Sequence, residues 1–168
     1  MTIAAILLPE FDHEMATTRK VLAGVPAAGP EWRPHPKSTA LGELASHLAT
    51  IALWGKMTLE RTELDLGVPE NAKLARTPFT TTAELLERFD SYVRDTRAAL
   101  AAASDADMGV TWTLKNGGKT IFSMPRTAVF RSFVMNHSIH HRAQLGVYLR
   151  LRDVPLPSTY GPSADTPR

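Results

Sequence analysis

Asn136-His137-Ser138-Ile139-His140-His141-Arg142-Ala143-Gln144-Leu145 sets His137 and His141 four positions apart in a run free of helix breakers. Residues four apart lie on one face of a helix, about one turn from each other. Phe130, Val134, Leu145 and Tyr148 fall on the same side, which turns the pair toward a protein interior rather than toward water. Two inward imidazoles need hydrogen-bond partners or a metal ion, because an unpaired buried polar group is costly. At this spacing both can reach one ion at ~2.0–2.1 Å. The run sits in a helix predicted to open at Pro125, a favoured first-turn residue, and to reach about Arg152, where Pro155 and Pro157 stop it. At ~1.5 Å per residue that helix is about 40 Å long, the longest element of the chain.

Upstream of it, Val110, Trp112 and Leu114 alternate with Thr111 and Thr113, Asn116-Gly117 supplies turn chemistry, and Thr120, Ile121 and Phe122 follow. This predicts a short β-hairpin. Before it, Thr81 with Glu84 three positions on forms a capping box, opening a helix whose core face is Leu85, Phe89, Tyr92, Val93, Thr96 and Leu100. Residues 65–80 carry Gly67, Pro69, Asn71 and Pro78 without periodicity. That connection exceeds the roughly 2–8 residues of a tight helix–helix turn and predicts a crossover. A second helix over about residues 38–63, capped by Ser38 or Thr39, directs Leu44, His47, Leu48, Ile51, Trp54 and Thr58 one way. The first helix covers about residues 3–22, with Ile6, Leu7, Phe11, Met15, Thr18 and Leu22 at three- and four-residue steps. The expected fold class is all-α: a four-helix bundle with a long crossover between helices 2 and 3 and a small β-hairpin before helix 4. A tail over residues 158–168, rich in Pro, Ser and Gly, is expected to be partly ordered against the body.

The 168 residues fit a single domain spanning 1–168. There is no cysteine, which excludes disulfides, thiolate zinc sites, iron–sulfur clusters and a cysteine nucleophile, and fits a reducing cytoplasm. Any metal site must use His, Asp, Glu and water. The 19 Lys and Arg against 17 Asp and Glu give a net charge of +2. The cations are scattered, so no nucleic-acid footprint is expected. Met1 to Pro9 lacks a cationic lead and a small-residue cleavage site, which argues against a signal peptide. No stretch of about 18 apolar residues exists to cross a membrane.

Six histidines are present. His47, set between Leu44, Leu48 and Ile51, points inward and is the third candidate ligand beside His137 and His141. Facing helices of a bundle build metal sites in this way, and three imidazoles leave positions for water or substrate. The competing readings are a surface histidine pair and a core histidine satisfied by hydrogen bonds. Ser138 follows His137, so the zinc-protease motif with its Glu base is absent. His140 lies one position off the face; His13 and His35 are expected to be exposed. Asn136 and Gln144 are placed to orient the ligands or simply to be solvated. Trp54 and Trp112 could line a pocket but read first as core, and Asp12 and Glu14 could supply a carboxylate near the site but read first as the solvated side of the first helix.

Leu41-Gly42-Glu43-Leu44-Ala45-Ser46-His47-Leu48 resembles the first histidine block of the DinB/YfiT-like metalloenzyme family, and residues 136–145 its second block. Asp153-Val154-Pro155 through Tyr160-Gly161-Pro162-Ser163 is similar to the end of many members. The resemblance implies a helical bundle, often dimeric, with ligands at His47, His137 and His141 and nickel or zinc as the usual ion. It implies a small-molecule substrate. Characterised members include S-transferases that use low-molecular-weight thiols such as bacillithiol and mycothiol, and a maleylpyruvate isomerase. Three functions follow as expectations: metal-assisted thiol transfer, metal-assisted hydrolysis, and a metal-stabilised stress-response binding protein.

Overall fold

A computed structural model describes residues 1–75 and 77–166; Arg76 of the expected crossover and Pro167 and Arg168 of the expected tail lie outside the described residues. The first long helix, α1 (Ile3–Leu22), is capped by the Thr2 hydroxyl, which accepts from the Ala5 amide. Leu7, Phe11, Met15, Thr18 and Leu22 are buried as the periodicity requires, whereas Ile6 is 58% exposed. Glu14, expected in solvent, is only 5% exposed. It shares the inward side with Phe11, Met15 and Thr18 and meets a buried cation there.

Helix α2 (Leu41–Glu60) starts later and ends earlier than its pattern suggests. Neither Ser38 nor Thr39 caps it. Ala40 holds the cap position and Glu43 reaches back to accept from the Ala40 amide at 3.1 Å, so only the acidic half of a capping box forms. The chain then enters strand β1 (Glu63–Asp65) and a short helix, α3 (Pro69–Ala75), inside the expected irregular crossover. Both are too brief for a periodic signal. Helix α4 (Thr82–Ala102) begins where expected: the Thr81 hydroxyl accepts from the Glu84 amide at 3.2 Å. The Glu84 carboxylate takes the Thr80 hydroxyl at 2.5 Å instead of closing the box.

A turn of helix, α5 (Asp105–Gly109), leads to β2 (Thr111–Asn116) and β3 (Lys119–Pro125), which pair antiparallel as the expected hairpin. Gly117 and Gly118 both take positive φ, +60° and +79°, the geometry a two-residue hairpin turn demands. The sheet has a third strand, since β1 runs parallel to β2 with Leu64 opposite Leu114. The Asp65 carboxylate accepts from the amides of Gly67, Gly117 and Gly118 at 2.7–2.8 Å. That contact ties the crossover to the hairpin tip.

The last long helix is not uniformly α. Pro125 caps α6 (Arg126–Val129) rather than occupying its first turn, a π-helical segment follows over Phe130–Asn136, and α7 (His137–Arg150) completes it. The protein is thus predominantly helical with a small three-stranded sheet. One core joins α1, α2, α4 and the last helix through residues such as Phe11, Leu48, Phe89, Phe130 and Leu145. A second, smaller core lies under the sheet at Met57, Leu64, Trp112, Leu114 and Val129. Gly55 marks the closest helix approach: a Cβ there would lie 2.6 Å from Thr96 Cγ2 and 3.2 Å from the Phe130 ring. No helix among the described residues is long and apolar enough to cross a membrane.

Candidate metal centre

His47 comes from the middle of α2, while His137 and His141 open the regular part of α7. The structure brings the three together. His137 Nε2 lies 3.3 Å from His47 Nε2 and 2.8 Å from His141 Nε2. One ligand atom from each ring falls within 4.8 Å of the other two. Two nitrogens at ~2.05 Å from a common ion would be about 3.3 Å apart at a tetrahedral angle and about 2.9 Å apart at a right angle. The separations of His137 from His47 and from His141 therefore suit pairs of nitrogens sharing one ion.

Proton positions support the same fit. Gln144 Oε1 takes His141 Nδ1–H at 2.7 Å, which leaves the His141 Nε2 lone pair facing the centre. Without an ion, His137 Nε2 must then donate to it, and His137 Nδ1 is a buried acceptor with no hydrogen-bond partner. An ion would remove the conflict: with the three Nε2 atoms as ligands the His137 proton would sit on Nδ1, toward the Phe133 carbonyl, which already pulls the His137 pKa upward. Burial is the main force on these rings. It lowers His47 to about 4, aided by His141 and His137, and lowers His137 to about 4, aided by His141. His141 is lowered too, again chiefly by burial. Near neutral pH the rings are uncharged, as ligation requires.

Other candidates fall where they were expected, or elsewhere for a visible reason. Trp54 is half-buried, edge-on to His47 and His137 with ring centroids 6.4 Å from each, so it borders the centre instead of filling the core. Trp112 is core, 3% exposed. His140 is exposed beside His141, and His13 and His35 are exposed. Asn136 is exposed and only Gln144 of the flanking pair touches a ligand. Asp12 pairs with Arg97 at the surface, so neither it nor Glu14 joins the centre.

A model of the DinB superfamily matches residues 10–145. The chain belongs to the DinB superfamily. Two solved DinB-like proteins share its fold. That of Bacillus cereus superposes with a TM-score of 0.69 at 22% identity, covering 95% of this chain and 98% of that one. YjoA of Bacillus subtilis superposes with a TM-score of 0.67 at 18% identity, covering 93% and 99%. No curated protein matches the chain.

One feature of this DinB chain went unread in its sequence. Arg142, next to His141, is 3% exposed, and its Nη2 lies 2.7 Å from Glu14 Oε2. Its Nη1 donates to the Glu14 carbonyl at 3.0 Å and the Thr18 hydroxyl at 3.2 Å. The Tyr160 hydroxyl accepts from Nη2 and donates to the Glu14 carboxylate, both at 2.8 Å. The signal was available. An arginine on a helix flanked by buried Ser138 and Leu145 needs a buried counter-charge, and Glu14 between Phe11 and Met15 was the candidate.

Proposed function

We propose that residues 1–168 form one catalytic domain, a four-helix bundle in which His47, His137 and His141 hold a divalent nickel or zinc ion. Its reaction is transfer of a low-molecular-weight thiol to a small electrophile. The convergence of three uncharged imidazoles from two helices carries this reading. The chain has no cysteine, so a thiol nucleophile arrives as co-substrate. The bound ion supplies the Lewis acidity that makes such a thiol anionic at neutral pH. The protein's own groups do the rest. Gln144 fixes the His141 tautomer. Burial keeps His47 and His137 unprotonated. The Trp54 indole walls one side of the centre and limits its contact with water. A homodimer in the cytoplasm is the form expected.

The test is turnover of an electrophile such as 1-chloro-2,4-dinitrobenzene by the nickel- or zinc-loaded protein with added thiol, with and without chelator. Thiol-dependent turnover lost on chelation supports transfer. Equal turnover in both refutes metal dependence. Chelator-sensitive hydrolysis of an ester or lactone without thiol replaces transfer with hydrolysis. Loss of folding on chelation with every assay blank leaves a metal-stabilised binding protein.

A further inference from the structure

A cavity of about 480 Å³ lies between α7 and the returning tail, within the ~300–1,000 Å³ typical of small-molecule sites. Its helix side is Ala143, Gly146, Val147 and Leu151; its tail side includes Leu156 and Pro157. Ala143, Gly146 and Val147 follow His141 by two, five and six residues, roughly 140–240° around the helix. The cavity therefore opens on the reverse side of α7 from the histidines.

The hollow exists because the helix is small there: a Cβ built on Gly146 meets nothing within 4 Å. Several of the tail's polar side chains are engaged elsewhere. The Asp165 carboxylate holds Arg150 and the Leu156 amide, the Ser163 hydroxyl donates to the Leu156 carbonyl, and Tyr160 is fastened to Glu14. What faces the space is apolar, with Val147 60% and Leu151 57% exposed at the rim. Among the described residues, the charged groups bordering it are Arg142 and Arg150, and no carboxylate does. Arg142 is enclosed and engaged by Glu14 and Thr18. Arg150 is 45% exposed, and its Nη1 and Nη2 both engage the Asp165 carboxylate. An apolar chamber with one accessible guanidinium complements a molecule with a hydrocarbon body and one negative end.

We propose that this cavity is a second binding site, independent of the metal centre, for a small apolar carboxylic acid. The acid's body packs on Val147, Leu151, Leu156 and Pro157, and its carboxylate shares the Arg150 guanidinium with Asp165.

Calorimetric titration of the metal-loaded protein with decanoate, and with decanol as the uncharged control, tests this. Saturable binding of decanoate, unchanged by chelator and at least about tenfold tighter than decanol, is expected for a charge-assisted contact. Gly146→Phe fills the chamber and should abolish binding with metal content unchanged; Ala143→Leu does the same with a smaller side chain. Arg150→Gln should bring decanoate down to the affinity of decanol while leaving decanol alone. Decanoate binding undiminished by both filling variants overturns the site. Decanol binding as tightly as decanoate overturns the acid. Absence of binding in a dimer that Gly146→Phe splits into monomers, by sedimentation, assigns the cavity to a second copy of the chain and also overturns the proposal. None of these outcomes depends on whether the metal centre catalyses anything.

Discussion

His137 is the hinge of the centre. Its Nε2 lies within hydrogen-bond distance of both other Nε2 atoms, while the His47 and His141 rings meet edge-on with centroids 4.6 Å apart. Removing even a group that supports a ligand costs roughly 10–100-fold in metal affinity. His137→Ala should therefore lower nickel or zinc affinity by more than about 100-fold, and Gln144→Leu should fall in the roughly 10–100-fold range. His140→Ala, exposed and off the ligand face, should change nothing. Elemental analysis of the three purified variants decides; unchanged stoichiometry in His137→Ala removes the site assignment. Glu14 belongs to a different logic. Breaking a buried ion pair from one side leaves an uncompensated charge and costs about 3–5 kcal/mol. Glu14→Ala should lose that much in urea unfolding, because Arg142 at 3% exposure has no route to water. Replacing both, as Glu14→Leu with Arg142→Met, should recover most of the loss. A double variant as unstable as the single one would mean that the Tyr160 hydroxyl and the tail it fastens, rather than the charge pair, hold this corner.

The π-helical segment Phe130–Asn136 stands immediately before His137. Such segments act as one-residue insertions in α-helices and recur at functional sites. The wider turn absorbs the extra residue, so the helix after it keeps the direction that an uninterrupted α-helix one residue shorter would give it. Phe130 and Val134 pack in the core, and His137 and His141 face His47. Deleting Ser132, which is exposed, should restore a regular helix. The histidine pair then keeps both its spacing and its direction toward His47, because one residue fewer at about 100° per step sweeps nearly the angle of the longer π segment. Stoichiometric metal binding and helical ellipticity should both be kept; loss of metal with ellipticity unchanged would show that the π turn itself aims the histidines. The segment also shows what the sequence hides. Three- and four-residue periodicity located α1, α2, α4 and the last helix because each buries a continuous stripe. The same periodicity tolerates a π turn without visible interruption, so the last helix read as uniform. Strand β1 escaped for another reason. Its three residues gain their place from pairing with β2, fifty residues on, and from Asp65 gripping the Gly117 and Gly118 amides. The alternation that betrayed the hairpin needs a longer strand. The convergence of His47, His137 and His141 was legible because two faces, each fixed by neighbouring apolar residues, both pointed inward. Glu14 was misread because a carboxylate was assigned to solvent without asking what would neutralise buried Arg142.

Folding, protonation and metal binding are linked across the whole protein through these imidazoles. In the unfolded chain His47 and His137 titrate at the ordinary 6.5; folded, each titrates at about 4 because burial opposes the charge. Between those values the unfolded chain holds more protons than the folded one, so acid favours unfolding. The stability of metal-free protein should be level above about pH 6.5, where both states are neutral, and should fall as pH drops toward about 4. The lowered carboxyls of Asp65 and Asp165, held by backbone amides and by Arg150, extend the loss below that window in the same direction. The ion acts in opposition. Bound to the folded, neutral rings as proposed, it would stabilise by about 4 kcal/mol at a free concentration a thousand times its Kd. Protons compete for the same Nε2 atoms, so the gain in Tm on adding zinc should be largest near pH 7.5 and shrink steadily below pH 6.5. Thermal unfolding with and without zinc, in steps from pH 8 to pH 4.5, measures both curves. A zinc increment that stays constant across the range would place the ion on carboxylates or surface groups rather than on these three rings. A metal-free Tm that does not fall between pH 6.5 and 4.5 would mean that the rings are open to water and charge freely in the folded state.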